Sequence, residues 1–179
     1  MKNAFWYIIA AAAPPHAALV ESLEARVAEG RPISVREVLE AAYLPYLALL
    51  MNPAFGPTAA KFMSRLLVEA DEELQGIINR TVGPYFMRSL SLLREAMPHL
   101  DEETMKLRSL ITVTNVIHGA GDLQALQNSP FGDVSGGDPL NTLHQLFEYM
   151  AAALAAPATP LTPAIQARMA ATLLAGANP

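Results

Sequence analysis

The chain has 179 residues, 52% of them hydrophobic and 16% charged, with a formal net charge of −5 and an isoelectric point near 5.3. That balance suits a helical domain with a sizeable core; it argues against disorder and against a surface that draws nucleic acid by charge. With no cysteine, disulfide frameworks, thiolate catalysis and Cys-ligated zinc are excluded, and no apolar run reaches the roughly 18–20 residues that span a bilayer.

Residues 2–12 read as a first helix burying Phe5, Trp6, Ile8 and Ile9, and Pro14-Pro15 is expected to stop it. The same stretch has the outline of an export signal over 1–13, with an Ala-x-Ala triplet before Pro14, although its charged region is a single Lys. Pro15 then opens a helix with Leu19, Leu23 and Val27 on one face, ended by Gly30; His16 sits at its start. SVRE at 34–37 is a capping box, and the helix it opens carries Val35, Val38, Leu39, Ala42, Tyr43, Tyr46 and Leu50. Pro45 inside it predicts a kink that frees the Ala41 carbonyl. NPAFGPT is a turn, followed by a helix with Phe62, Met63, Leu66 and Leu67.

Residues 72–97 keep helical spacing through Leu74, Ile77, Ile78, Val82, Tyr85, Phe86, Leu90, Leu93 and Met97, with a bend at Gly83-Pro84. Asp101 caps a helix over 102–126, and His99 has the placement of a helix-terminus residue. NSPFGDVSGGDP is a loop, Asp138-Pro139 starts a helix over 139–156, and Thr162-Pro163 caps a short last one. No period-2 strand appears. The predicted fold is all-α, an antiparallel bundle of about seven to eight helices.

The helix at 102–126 is apolar or small around roughly two thirds of its circumference, wider than the single face of an ordinary surface helix. One stripe holds Met105, Val113, Val116, Ala120 and Leu123; a second holds Leu107, Leu110, Thr114, Ile117 and Gly121. Along 139–156, Leu143, Leu146, Phe147, Met150 and Leu154 face a core, while His144, Ala152 and Ala155 near Glu148 leave a small-residue side. Two adjacent two-faced helices predict a four-helix interface across a two-fold axis, involving Leu110, Thr114, Ile117, His118, Gly121, His144, Glu148, Ala152 and Ala155. The alternative is a central helix of a larger monomeric bundle.

In order and texture the chain resembles the C-terminal regulatory domain of TetR-type bacterial transcriptional regulators. The resemblance runs over about residues 15–157, through ESLEARVAEGRPISVREVLEAAYLPYLALL, LLREAMPHLDEE, KLRSLITVTNVIHGAGDL and LFEYMAAALAAP, with Arg31-Pro32 and Pro98-His99-Leu100 as its local marks. It implies a homodimer through 102–126 and 139–156, a small apolar or aromatic effector, a cytoplasmic location and no cofactor. KNAFWYI resembles the start of the helix that follows the family's DNA-reading unit, so 1–14 reads as the remnant of a connecting helix. On that division 15–157 is the ligand-binding and dimerisation domain, and 158–179 a linker with a short helix. No basic helix-turn-helix is found, and DNA is expected only through an N-terminal domain not present in this sequence.

Sites of chemistry are sparse. His118 and Asp122, four apart, share a helix side but lack a third ligand of clear spacing, so no metal is expected. Ser89, Ser91 and Ser109 lie inside helices without the elbow that presents a nucleophile, and no enzyme is expected. The Gly-rich FGDVSGGD has no Lys, and its Asp133 and Asp138 repel phosphate. The stronger candidate is a cavity held open by the Pro45 and Pro84 bends, lined by Tyr43, Tyr46, Leu47, Met51, Phe62, Met63, Phe86 and Met87, with Arg108, Thr112 and Asn115 orienting a ligand. The expected role is therefore an effector-sensing domain. A stand-alone helical carrier or partner-binding protein, or an exported helical protein, is the alternative.

Overall fold

Capping chemistry sets most of the element ends in the computed structural model, which describes residues 2–50, 72–121 and 138–176. Among these residues are six α-helices and no strand: α1 Lys2–Ala28, α2 Val35–Leu50, α3 Glu72–Ala96, α4 Glu102–Gly121, α5 Pro139–Ala155 and α6 Pro163–Gly176. The all-α class agrees with the sequence. The helix expected around Phe62 and Leu66, and the loop NSPFGDVSGG, lie outside the described residues.

α1 closes in a Schellman turn. Gly30, at φ +70°, takes the left-handed conformation that a side chain resists, its amide bonds the Val27 carbonyl, and the Arg31 amide bonds the Arg26 carbonyl. The expected box opens α2: the Glu37 amide donates to Ser34 Oγ at 3.2 Å and the Ser34 amide donates to Glu37 Oε2 at 2.8 Å. Asp101 accepts from the Thr104 amide at the start of α4, and Asp138 from the Leu140 amide at the start of α5, each at 2.9 Å. Thr162 Oγ1 accepts from the Ile165 amide at the start of α6.

One expectation fails. Pro14-Pro15 does not stop the first helix; α1 runs through both, across the expected boundary at residue 14, and His16 lies in its interior rather than at a start. The two prolines deprive the Ala10 and Ala11 carbonyls of amide partners, and Ala10, Ala11, Pro14 and Pro15 are all exposed. Water can satisfy those carbonyls, while Ile9, Ala12, His16, Val20 and Leu23 are buried on the opposite side. Burial along one continuous face offsets the cost of proline in a helix interior.

α2 is the hub, touching α1, α3, α4 and α5. The main core gathers Val20, Leu23, Val38, Leu39, Leu47, Leu90, Leu93, Met97, Met105, Val116, Leu143, Phe147, Met150 and Leu154 from α1 to α5. A second, smaller cluster forms where Ile9 of α1 meets Tyr46 of α2 and Ile77, Ile78 and Val82 of α3. No described helix is long and apolar enough to cross a membrane.

Candidate functional site

Of the group expected to line a cavity, Tyr43 and Phe86 lie in one compartment at the α2–α3 seam and Tyr46 in another. Tyr43 and Phe86 line a space with Val38, Leu39, Ala42, Leu90, Leu93 and Leu154, and Ser89, Ser109 and Thr112 are also in its wall. The cavity is about 10 Å³, room for a single water. Ser109 Oγ donates to the Met105 carbonyl and Thr112 Oγ1 to the Arg108 carbonyl, each at 2.8 Å, so both hydroxyls are satisfied within their own helix. Burial pushes the Tyr43 phenol up, which keeps it neutral. Leu47 is fully buried one turn further along α2.

The second compartment was not anticipated. Tyr46 turns toward α1, where its ring meets His16 at a centroid distance of 5.9 Å; Tyr85 stands edge-on to the same imidazole at 5.2 Å. His16 is 2% exposed and its Nδ1 has no hydrogen-bond partner. Burial first, and the Arg88 cation second, lower the His16 pKa, so the ring is neutral. Burial, with Tyr85 beside it, pushes the Tyr46 phenol up to about 12. Arg88 itself is held by Glu24 of α1, its Nε and Nη2 lying 2.9 and 2.7 Å from the two carboxylate oxygens. That bidentate pair fixes α1 against α3 beside the aromatic group.

Other expected site residues lie elsewhere. Met87 is 57% exposed and Asn115 is exposed, so both stand outside the bundle interior. Arg108 points its guanidinium at the end of α5, donating to the carbonyls of Leu154 at 3.1 Å, Pro157 at 3.3 Å and Ala156. Through Nη1 and Nη2 it caps a helix terminus. Met51, Phe62, Met63 and Asp122 lie outside the described residues, as does the side chain of His118.

α4 is apolar on two sides: Met105 and Val116 are buried in the core, yet large apolar side chains also stand on its outer face. Its hydroxyl residues Ser109 and Thr112 are buried, whereas Leu107, Leu110 and Ile111 are 58%, 60% and 51% exposed. Thr114 is exposed beside them; the side chains of Ile117 and Gly121 lie outside the described ones. On α5, Leu140 and Tyr149 are exposed, and so are His144, Glu148 and Ala152, with Ala155 half-buried. His144 and Glu148 are engaged within the chain: Arg36 of α2 pairs with Glu148 and donates to His144 Nδ1 at 2.9 Å. Since arginine only donates, that imidazole accepts at Nδ1 and carries its proton on Nε2.

A family model described as tetracyclin repressor-like, C-terminal domain, matches residues 40–153. No curated protein and no solved structure matches the chain.

Proposed function

This chain belongs to the tetracyclin repressor-like C-terminal domain family, and from that premise we propose that it is the effector-sensing and dimerising half of a TetR-type transcriptional regulator. The observation that carries the reading is the second apolar face of α4, which buries Met105 and Val116 in the core yet exposes Leu107, Leu110 and Ile111. A helix that exposes three large apolar side chains in a row of turns has a second partner to cover them. The exposed face of α5, with Tyr149 at 68% and Leu140 at 72%, extends the same surface. Two such helices meeting their copies across a two-fold axis make a four-helix interface.

The effector enters the α1–α2–α3 side. The cavity beside Tyr43 is lined by α2, α3, α4 and α5 and has room for no more than a water, so the effector site is the second compartment, where His16, Tyr46 and Tyr85 meet, and a ligand there selects a more open packing of α1, α2 and α3. α1 touches only α2 and α3 among the described helices, and it is the helix expected to follow the DNA-reading unit. An effector that fits one placement of α1 better than another shifts the spacing of two reading heads; one that fits both equally shifts nothing. Location in the cytoplasm and a non-enzymatic role follow from the same reading.

Light scattering tests the dimer. The wild-type chain should run at twice its 19.2 kDa mass. Leu110→Glu should shift it to the single-chain mass with its helical circular dichroism intact, because the new carboxylate would be buried without a partner at the interface. A wild-type monomer, or a Leu110→Glu dimer of undiminished strength, sinks the proposed interface.

A further inference from the structure

His16 Nδ1 is the only buried side-chain nitrogen or oxygen without a hydrogen-bond partner among the described residues. Such an atom gives up hydration and receives nothing in return, so folded chains keep few of them, and each calls for a missing partner. The site around it is built. The Tyr85 ring stands at 86° to the imidazole and the Tyr46 ring at 60°. Tyr46 continues into the satellite cluster with Ile9, Ile78 and Val82. Apart from Ile9, these walls are half-buried, so they keep apolar surface to offer. The charge beside them is balanced, because Glu24 pairs with Arg88 through Nε and Nη2.

An aromatic-walled site with a buried, unpartnered polar atom, and with Arg88 paired to Glu24, selects a neutral ligand with one polar group. We propose that His16 Nδ1 is the polar anchor of the effector site, and that the effector is a neutral aromatic molecule bearing a hydroxyl group. A hydroxyl both donates and accepts, so it meets Nδ1 in either tautomer of the neutral ring. The aromatic body packs against Tyr46 and Tyr85 in the edge and offset geometries those rings already use. The anchor sits on α1 itself, so the ligand grips the element whose movement would carry the signal. This assignment rests on the effector-site reading above and adds the chemistry of the ligand to it.

Naphthalene and 2-naphthol share a ring system and differ by the hydroxyl. In equilibrium dialysis against the full chain, 2-naphthol should bind at least about 10-fold more tightly than naphthalene, and His16→Phe should abolish that preference while changing naphthalene affinity by no more than about twofold. A second readout needs no variant. In long-range proton–nitrogen spectra of the wild-type chain, the His16 Nδ1 resonance should move with 2-naphthol and stay still with naphthalene. Equal affinity for the two probes overturns the anchor and leaves the apolar site standing. A hydroxyl preference that survives in His16→Phe, or that leaves the Nδ1 resonance unmoved, also overturns the anchor. Binding of neither probe overturns the effector site and the anchor together.

Discussion

Glu37 joins two helices through one carboxylate. Oε1 accepts from Arg26 of α1 at 2.5 Å, while Oε2 accepts from the amide and the hydroxyl of Ser34, both at 2.8 Å. The Arg26 guanidinium first, then Ser34, hold the Glu37 carboxyl down at about 2. A carboxyl depressed in the folded state contributes stability that is fully present above its ordinary value of 4.5 and is lost as pH falls through the folded one. Melting temperature should therefore decline between about pH 4.5 and pH 2, and Glu37→Gln should flatten part of that decline. The Glu37 side chain is 38% exposed, so solvent screening limits the loss at pH 7 in Glu37→Gln to about 1 kcal/mol. Parallel acid profiles for the two proteins would remove Glu37 from the account. The Ser34–Glu37 half of this arrangement is legible in the string SVRE, because a box needs residues three apart. The Arg26 half is not, since only the Schellman turn at Gly30 folds α1 back alongside α2. His16 was misread for the same reason: Pro15 before it suggests a helix start, and its burial exists only once Tyr46 and Tyr85 arrive from other helices.

At the scale of elements, the C-terminus of α5 shows how a helix end recruits distant side chains. Its last carbonyls would be orphans, and three of them, together with the Pro157 carbonyl beyond, are taken by side chains from before and within α4. His99 Nε2 lies 3.0 Å from the Ala155 carbonyl, and Arg108 spans Leu154, Ala156 and Pro157. The Arg108 guanidinium also meets the negative end of the helix dipole. Arg108→Met should therefore lower unfolding free energy by about 1–3 kcal/mol, measured by urea denaturation, with 2-naphthol affinity unchanged within about twofold. The opposite pattern, unchanged stability with weakened binding, would return Arg108 to the ligand. Helix limits were legible wherever a cap is local: 35–50, 102 onward, 139–155 and 163 onward start where Ser34, Asp101, Asp138 and Thr162 predict. The break at Pro14-Pro15 was not, because proline forbids one hydrogen bond without fixing whether water can replace it. In α1 both freed carbonyls lie on the exposed side, so the helix continues.

Across the whole molecule, the contacts divide labour. α1 packs on α2 and α3, α5 packs on α2 and α4, and α1 touches neither α4 nor α5 among the described residues. On the proposed function, a signal from the α1 side reaches α4 and α5 through α2, or through α3, which also touches α4. α6 stands apart from these helices. It follows an exposed linker and contacts no other described helix. Thr162 caps it locally, yet 14 residues is near the length at which an isolated helix is only marginally stable in water. Leu161 and Met169 are 63% and 55% exposed, so within one chain α6 buries little. Removing every residue after Pro160 retains Arg108's three carbonyl partners and the whole core, and the shortened chain should melt within about 1 °C of the intact one. Burial against a second copy would behave differently: a loss of more than about 4 °C, growing as protein concentration falls, would place α6 across the dimer, because only an intermolecular contact makes melting concentration-dependent.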